Sequence, residues 1–257
     1  MKITCLVENT KRREGLGTEH GLSLFIETKA HKILFDMGQS ELFEKNAKSL
    51  DVELEDVDLA FISHGHYDHG GGLKRFLTIN QRAPVYVNHY AFGEHYNGIE
   101  KYIGLDKSLQ KEERLIFTDD IVVIEEGITL YTKLTVNNYF SPTGELMRKE
   151  GVNLLKEDFR HEQYLMLEEN GKRVLFSGCS HRGILNIAEE FQPDYLIGGF
   201  HFSKLSLDDN LAEYAGLLDR FSIKYYTCHC TGKEQYGFMK PRMKNLFYLS
   251  AGEEFYI

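Results

Sequence analysis

The chain has 257 residues, 42% of them hydrophobic, and a formal net charge of -9. That length buries a sizeable core. With only 4 prolines and no linker-like stretch, repeat or single-sign charge run, it suits one domain over residues 1–257 better than a string of modules. The acidic balance argues against general nucleic-acid binding, which draws its affinity from Lys and Arg; 4 cysteines make no disulfide framework in so long a chain; and no apolar run is long enough to span a bilayer.

The first residues turn polar too soon for a signal peptide, so the cytoplasm is the expected location. Thr4 to Val7 is a first strand, and Ser23 to Glu27 with Lys32 to Phe35 form a hairpin about a polar turn at Lys29 to His31. Glu41 to Leu50 has helical spacing, with Leu42, Phe43, Ala47 and Leu50 on one side. Val57 to Ile62 is a short apolar run of the kind that forms a buried strand. It leads into His64-Gly65-His66-Tyr67-Asp68-His69, after which Gly70-Gly71-Gly72 opens a helix over Leu73 to Ile79.

Val85 to Val87 is the next strand, and Asn88 to Phe117 is irregular, rich in Tyr, His, Gly and charge, as functional lids often are. A second hairpin is expected at Ile121 to Ile124 and Ile128 to Tyr131, then another loop-like stretch from Asn137 to His161. Strands follow at Tyr164 to Leu167, Arg173 to Phe176, Tyr195 to Ile197 and Lys224 to Thr227, with helices over Ile184 to Phe191 and Leu207 to Phe221. Strand pairs come early and helices alternate with strands later. The pattern suggests two sheets with helices packed outside, an α/β protein of the αβ/βα type.

Three histidines and an aspartate within six residues, directly after a buried strand, are the feature that carries chemistry. If His64 and His66 continue the extended backbone, their period of two sends both imidazoles the same way. The turn into the next helix brings Asp68 and His69 to the same edge. Imidazole and carboxylate suit zinc, and also iron or manganese. The alternative, a histidine-rich surface loop, has no need of a buried strand before it and a glycine turn and helix after it.

His64-x-His66-x-Asp68-His69 after Phe61-Ile62-Ser63 resembles the signature of the metallo-β-lactamase superfamily. Leu34-Phe35-Asp36-Met37-Gly38 resembles its first motif, whose aspartate supports the metal loop. Gly178-Cys179-Ser180-His181, Gly198-Gly199-Phe200-His201 and Cys228-His229-Cys230-Thr231-Gly232 resemble a branch containing dihydropterin/aminobenzoate ribofuranosyl-phosphate synthase-like proteins.

The resemblance implies the four-layer αβ/βα sandwich of that family and one or two divalent metal ions, zinc first and iron or manganese as alternatives. It implies a first metal on His64, His66 and a later histidine, and a second on Asp68, His69 and a histidine near the C-terminus. His229, after an apolar strand and before a Thr-Gly turn, is the choice for the last. For the third ligand of the first metal His181 is favoured over His161. Cys179 stands where many members have a bridging aspartate, and is either a ligand or a small packed residue. On a strand, Cys228 and Cys230 would face away from His229 and be reduced, buried cysteines. His20, His31, His89 and His95 are expected on the surface or in the lid.

Such a site implies a hydrolase with a metal-bound hydroxide and a small-molecule substrate, a small anionic phosphoester in first place. Asp68 would orient the nucleophile or take its proton. His201, after the strand Tyr195 to Ile197, would give a proton to the leaving group or bind the substrate anion, the alternative being a structural histidine. One alternative is a synthase acting at a ribose phosphate, with Tyr90, Phe92, Tyr96 and Tyr102 stacking on a ring and Lys101 or Lys107 meeting phosphate. The other is a redox or non-catalytic metal-binding member.

Overall fold

The computed structural model describes residues 1–142 and 144–257. Backbone contacts group them into two compact units, one of residues 1–119, 144–163 and 250–257, the other of residues 120–142 and 164–249.

The first unit is built on a seven-stranded sheet. In spatial order its strands are Glu254–Tyr256, Lys2–Val7, Ser23–Glu27, Lys32–Phe35, Leu59–Ile62, Val85–Asn88 and Leu115–Thr118. The first four pair antiparallel and the rest are added in parallel. The change follows from the connections. Thr28 Oγ1 accepts from the backbone of Ala30 and His31 and closes the tight turn of the hairpin. The later strands are joined by crossovers that hold the helices Leu42–Ser49 and Leu73–Ile79.

Phe43, Ala47, Leu73 and Phe76 of those helices pack with Leu34, Ala60, Ile62, Val85 and Val87 of the sheet. Burying a side chain the size of Phe43 stabilises by roughly 1.5–3 kcal/mol. The strand Leu59–Ile62 lies between Lys32–Phe35 and Val85–Asn88 inside the sheet, and the histidine segment begins just past its C-terminal end.

Both stretches expected to be loops contain strands. Glu94–Asn97 and Lys101–Tyr102 from one join Leu146–Glu150 and Asn153–Lys156 from the other in a four-stranded antiparallel sheet. These strands are short, polar and largely half-exposed or exposed. They carry none of the apolar alternation by which a strand is recognised.

The second unit also has a seven-stranded sheet, in the order Leu246–Tyr248, Lys224–Thr227, Tyr195–Gly198, Lys172–Phe176, Tyr164–Glu169, Ile128–Tyr131 and Val122–Glu125. The first four strands are parallel and the last three continue antiparallel. Ile184–Phe191, Asp209–Leu218 and Lys233–Met239 are the helices of this unit. Ile187, Leu211, Ala215 and Met239 from them meet Tyr164, Leu175, Leu196 and Tyr225 from the sheet. Asp208 caps the second helix by accepting from Asn210 N and Leu211 N. No helix among the described residues is long and apolar enough to cross a membrane.

Candidate metal centre

His64, His66, Asp68 and His69 are all buried, and follow the strand Leu59–Ile62 in the first unit. The backbone bends at His64 and Gly65 and is extended at His66. The rings of His64 and His66 lie 4.6 Å apart and those of His64 and His69 4.1 Å apart, so the spacing does bring the imidazoles together. Asp68 Oδ2 is 3.3 Å from Nε2 of His20, which is exposed, as expected of a surface or lid residue.

A chain of hydrogen bonds behind these rings decides where their protons are. Asp36 accepts from Ser63 N at 2.7 Å, from Ser63 Oγ at 2.7 Å and from His69 Nδ1 at 2.6 Å. Ser63 has one hydroxyl proton and gives it to Asp36, so its 2.8 Å contact with His64 Nδ1 has the imidazole as donor. Both His64 and His69 thus hold their proton on Nδ1 and present a lone pair on Nε2. That tautomer lets Nε2 ligate a divalent metal, and it is set by the partners that usually set it. Asp36 reaches this position with φ at 58°, a left-handed conformation that Asp and Asn adopt more readily than most residues.

In the second unit the loops after three neighbouring parallel strands converge. They are Ser177 to Gly183, Gly199 to Phe202, and Cys228 to Gly232. His181 and His229 are buried, and the His181 ring lies 4.4 Å from that of His201. His229, Cys230 and Thr231 form a single tight turn rather than a continued strand. The alternation expected for Cys228 and Cys230 therefore does not apply.

Cys230 lies close to Cys179 and His201, with their ligand atoms within 4.8 Å of one another. Gly199 makes this possible, since a Cβ there would sit 2.3 Å from Cys230 Sγ. Burial pushes the Cys230 thiol up, but hydrogen bonds with Cys179 and His201 and the fields of His229 and His201 outweigh it and hold the thiol well below the usual range. None of the four cysteines is in a disulfide, and all are buried. His201 Nδ1 is buried without a hydrogen-bond partner, and His201 and His229 are held at φ of 57° and 49°. An orphaned imidazole nitrogen and left-handed histidines are features that collect at functional sites. Each unit on its own therefore presents buried nitrogen, oxygen or sulfur donors that fit a divalent metal.

His95, expected in an exposed lid, is instead 3% exposed and bound through Nδ1 to Glu157 at 2.7 Å. With His66 and His161 it forms a cluster whose ligand atoms lie within 4.8 Å of one another. Ser63, His95 and Glu157 were the functional candidates hardest to see. A serine beside a histidine and a glutamate in a polar loop carry no spacing signal of their own.

The sequence profile described as the metallo-β-lactamase superfamily matches residues 16–221. An uncharacterised protein of Methanocaldococcus jannaschii is 31% identical over 246 residues, 90% of each chain. The 7,8-dihydropterin-6-methyl-4-(β-D-ribofuranosyl)-aminobenzene-5'-phosphate synthase of the same organism is 26% identical over 262 residues, 92% of this chain and 89% of that one. Among solved structures, one described as a metal-dependent hydrolase of the β-lactamase superfamily superposes with a TM-score of 0.83 at 30% identity, covering 100% of this chain and 99% of that one. The α/β architecture of sheets carrying helices, the donor-rich strand ends and these likenesses agree. The chain belongs to the metallo-β-lactamase superfamily.

Proposed function

We propose that the protein is a metal-dependent hydrolase acting on a small anionic ester, a phosphoester first. The observation that carries this reading is the pair of hydrogen-bond paths to Asp36, direct from His69 and through Ser63 from His64, which put both ring protons on Nδ1 and leave the Nε2 lone pairs for a metal. We assign His64, His66, Asp68, His69, His181 and His229 as ligands of one or two divalent ions, with zinc as the metal, within a single domain working in the cytoplasm. A divalent ion held by such donors supplies Lewis acidity, lowering the pKa of water and stabilising charge on an ester oxygen.

The chain's own residues do the rest. Asp68, steadied by His20, orients the attacking water and takes its proton. His201, beside the His181 ring, gives a proton to the leaving oxygen.

The choice of an anionic substrate is supported by a cleft of about 610 Å³ in the first unit, lined by His89, Lys107, Ser108, Gln110, Lys111 and Phe117. In a protein of net charge -9, a lining with two lysines and no carboxylate is a local reversal of sign that favours an anion. His89 follows the strand next to the one that leads into the metal segment.

The test is elemental analysis of the purified protein and of the His64→Ala/His66→Ala variant, with a screen of phosphodiesters, phosphomonoesters, lactones and thioesters. Metal lost in the variant, and ester turnover that disappears on chelation and returns with zinc, are expected. Equal metal content, or turnover that survives complete chelation, refutes the reading.

The 26% identity to the archaeal synthase supports a second reading, a transferase that joins an aminobenzene to a ribose phosphate. Tyr96 and Tyr102, in edge contact at 5.5 Å between ring centroids, are the rings available for stacking. Coupling of an aminobenzoate to phosphoribosyl pyrophosphate, with no ester hydrolysed, would decide for it.

A further inference from the structure

Residues 157–163 of the first unit grip the metal segment along its backbone. Gln163 N donates to Ser63 O at 2.8 Å, Gln163 Nε2 to Ile62 O at 2.7 Å, and Gly65 N donates to His161 Nδ1 at 3.0 Å. The three bonds fall just before His64 and between His64 and His66. On another side Gly65 lies so close to Ala91 that a Cβ would stand 2.2 Å from its carbonyl oxygen. The spacer between the two histidines is thus fixed from two directions.

The bond to Gly65 also fixes a proton. Nδ1 of His161 can accept only through a lone pair, so the neutral ring carries its hydrogen on Nε2. A nitrogen that holds a proton has no lone pair for a metal. Glu157 Oε2 lies 3.7 Å from Nε2, beyond hydrogen-bond distance, and its charge alone favours a proton there. The Glu157 carboxylate is held by the backbone N–H groups of Asp158 and Phe159 and by His95 Nδ1 at 2.7 Å. The side chains of Glu157 and His161 are 1% and 0% exposed. A carboxylate in such a place must be compensated by donors, and His95 is the strongest of them.

We infer that His161 is a positioning residue and not a metal ligand. Glu157, secured by His95, keeps the His161 proton on Nε2. His161 Nδ1 then holds the Gly65 N–H and sets the separation at which His64 and His66 are presented. The inference rests on the reading of those two histidines as ligands. Its rival is a metal ion among His66, His95 and His161, whose ring centroids lie 4.1 to 5.7 Å apart.

Two measurements separate them. The first is the long-range 1H–15N spectrum of the histidine side chains of the unmodified protein, with and without zinc, the His161 signals being identified by their loss in His161→Asn. Expected is an Nε2-protonated His161 in both states, while His64 and His66 shift on zinc addition. Loss of the His161 Nε2 proton on zinc binding overturns the inference. The second is zinc affinity by competition with a chromophoric chelator. His161→Asn keeps an acceptor where Nδ1 stood and should stay within about 3-fold of the parent, whereas His161→Ala should lose roughly 10–100-fold. Equal loss in both variants, or no loss in either, also overturns it. If the alanine variant does not fold, the spectrum and the asparagine variant decide. Full zinc content in His64→Ala/His66→Ala would instead refute the assignment of the ligands themselves.

Discussion

Asp36 Oδ2 lies 2.6 Å from His69 Nδ1, with both side chains fully shielded from solvent. A carboxylate there makes Nδ1 the donor and leaves the lone pair on Nε2, the atom proposed above to bind metal. Asp36→Asn keeps the left-handed backbone but allows an amide N–H to meet the imidazole N–H, which favours the wrong tautomer. Zinc affinity should fall by about 10–100-fold. Competition titration checks this, and an affinity within about 2-fold of the parent would refute it.

Ser63 is the relay between Asp36 and His64. Ser63→Ala removes the acceptor for His64 Nδ1 and one of the donors to Asp36, so a loss in zinc affinity of about 10-fold is expected. Because both residues serve one hydrogen-bond chain, Asp36→Asn/Ser63→Ala should lose less than the product of the two single losses. Fully multiplicative losses would show that the two side chains act independently.

Gly65→Ala places a methyl group 2.2 Å from the Ala91 carbonyl oxygen. Gly65 cannot yield without disturbing its bond to His161, nor Ala91 without disturbing its own bond to Asn88 O. The variant should lose on the order of 1–3 kcal/mol of stability, read as a lower urea midpoint of the metal-free protein. An unchanged midpoint would mean that the two segments separate freely.

Glu44, outside the histidine segment, provides a separate pH signature. Hydrogen bonds from Arg75, aided by Lys48, overcome the cost of burial and lower its carboxyl from 4.5 to about 2. A depressed folded-state pKa stabilises above the unfolded value and ceases to do so as pH falls through the folded value. Parent protein should therefore exceed Glu44→Gln in urea midpoint at pH 6, and the gap should shrink between about pH 4.5 and pH 2. A gap that does not change over that range would remove Glu44 as the cause.

The sequence was most legible where apolar runs and donors lie side by side. Leu59 to Ile62 is recognisably a buried strand, and His64, His66, Asp68 and His69 follow it at once. His181, His201 and His229 were singled out because each follows a strand of the second sheet. His95 was hidden for a different reason. Its strand has no apolar alternation and is held by pairing with Arg148, distant in sequence, so neither its burial nor its partner Glu157 leaves a local pattern. The turn at His229 to Thr231 was missed because a tight turn and one more residue of strand are spelled alike, and the difference lies in contacts such as Phe200 N with Thr231 Oγ1.

The strand Lys2–Val7 has Ser23–Glu27 on one side and Glu254–Tyr256 on the other, with Lys2 facing both Glu27 and Tyr256. On a ribosome the first neighbour arrives almost at once, but the second only after residues 120–142 and 164–249 have emerged. Until then the first strand has an open edge, able to pair with any extended chain nearby. Closing it joins residues 2–4 to residues 254–256, far apart in sequence, the kind of contact that slows folding most. Glu254–Tyr256 thus acts as a latch, and a nascent chain stalled short of it keeps an aggregation-prone margin.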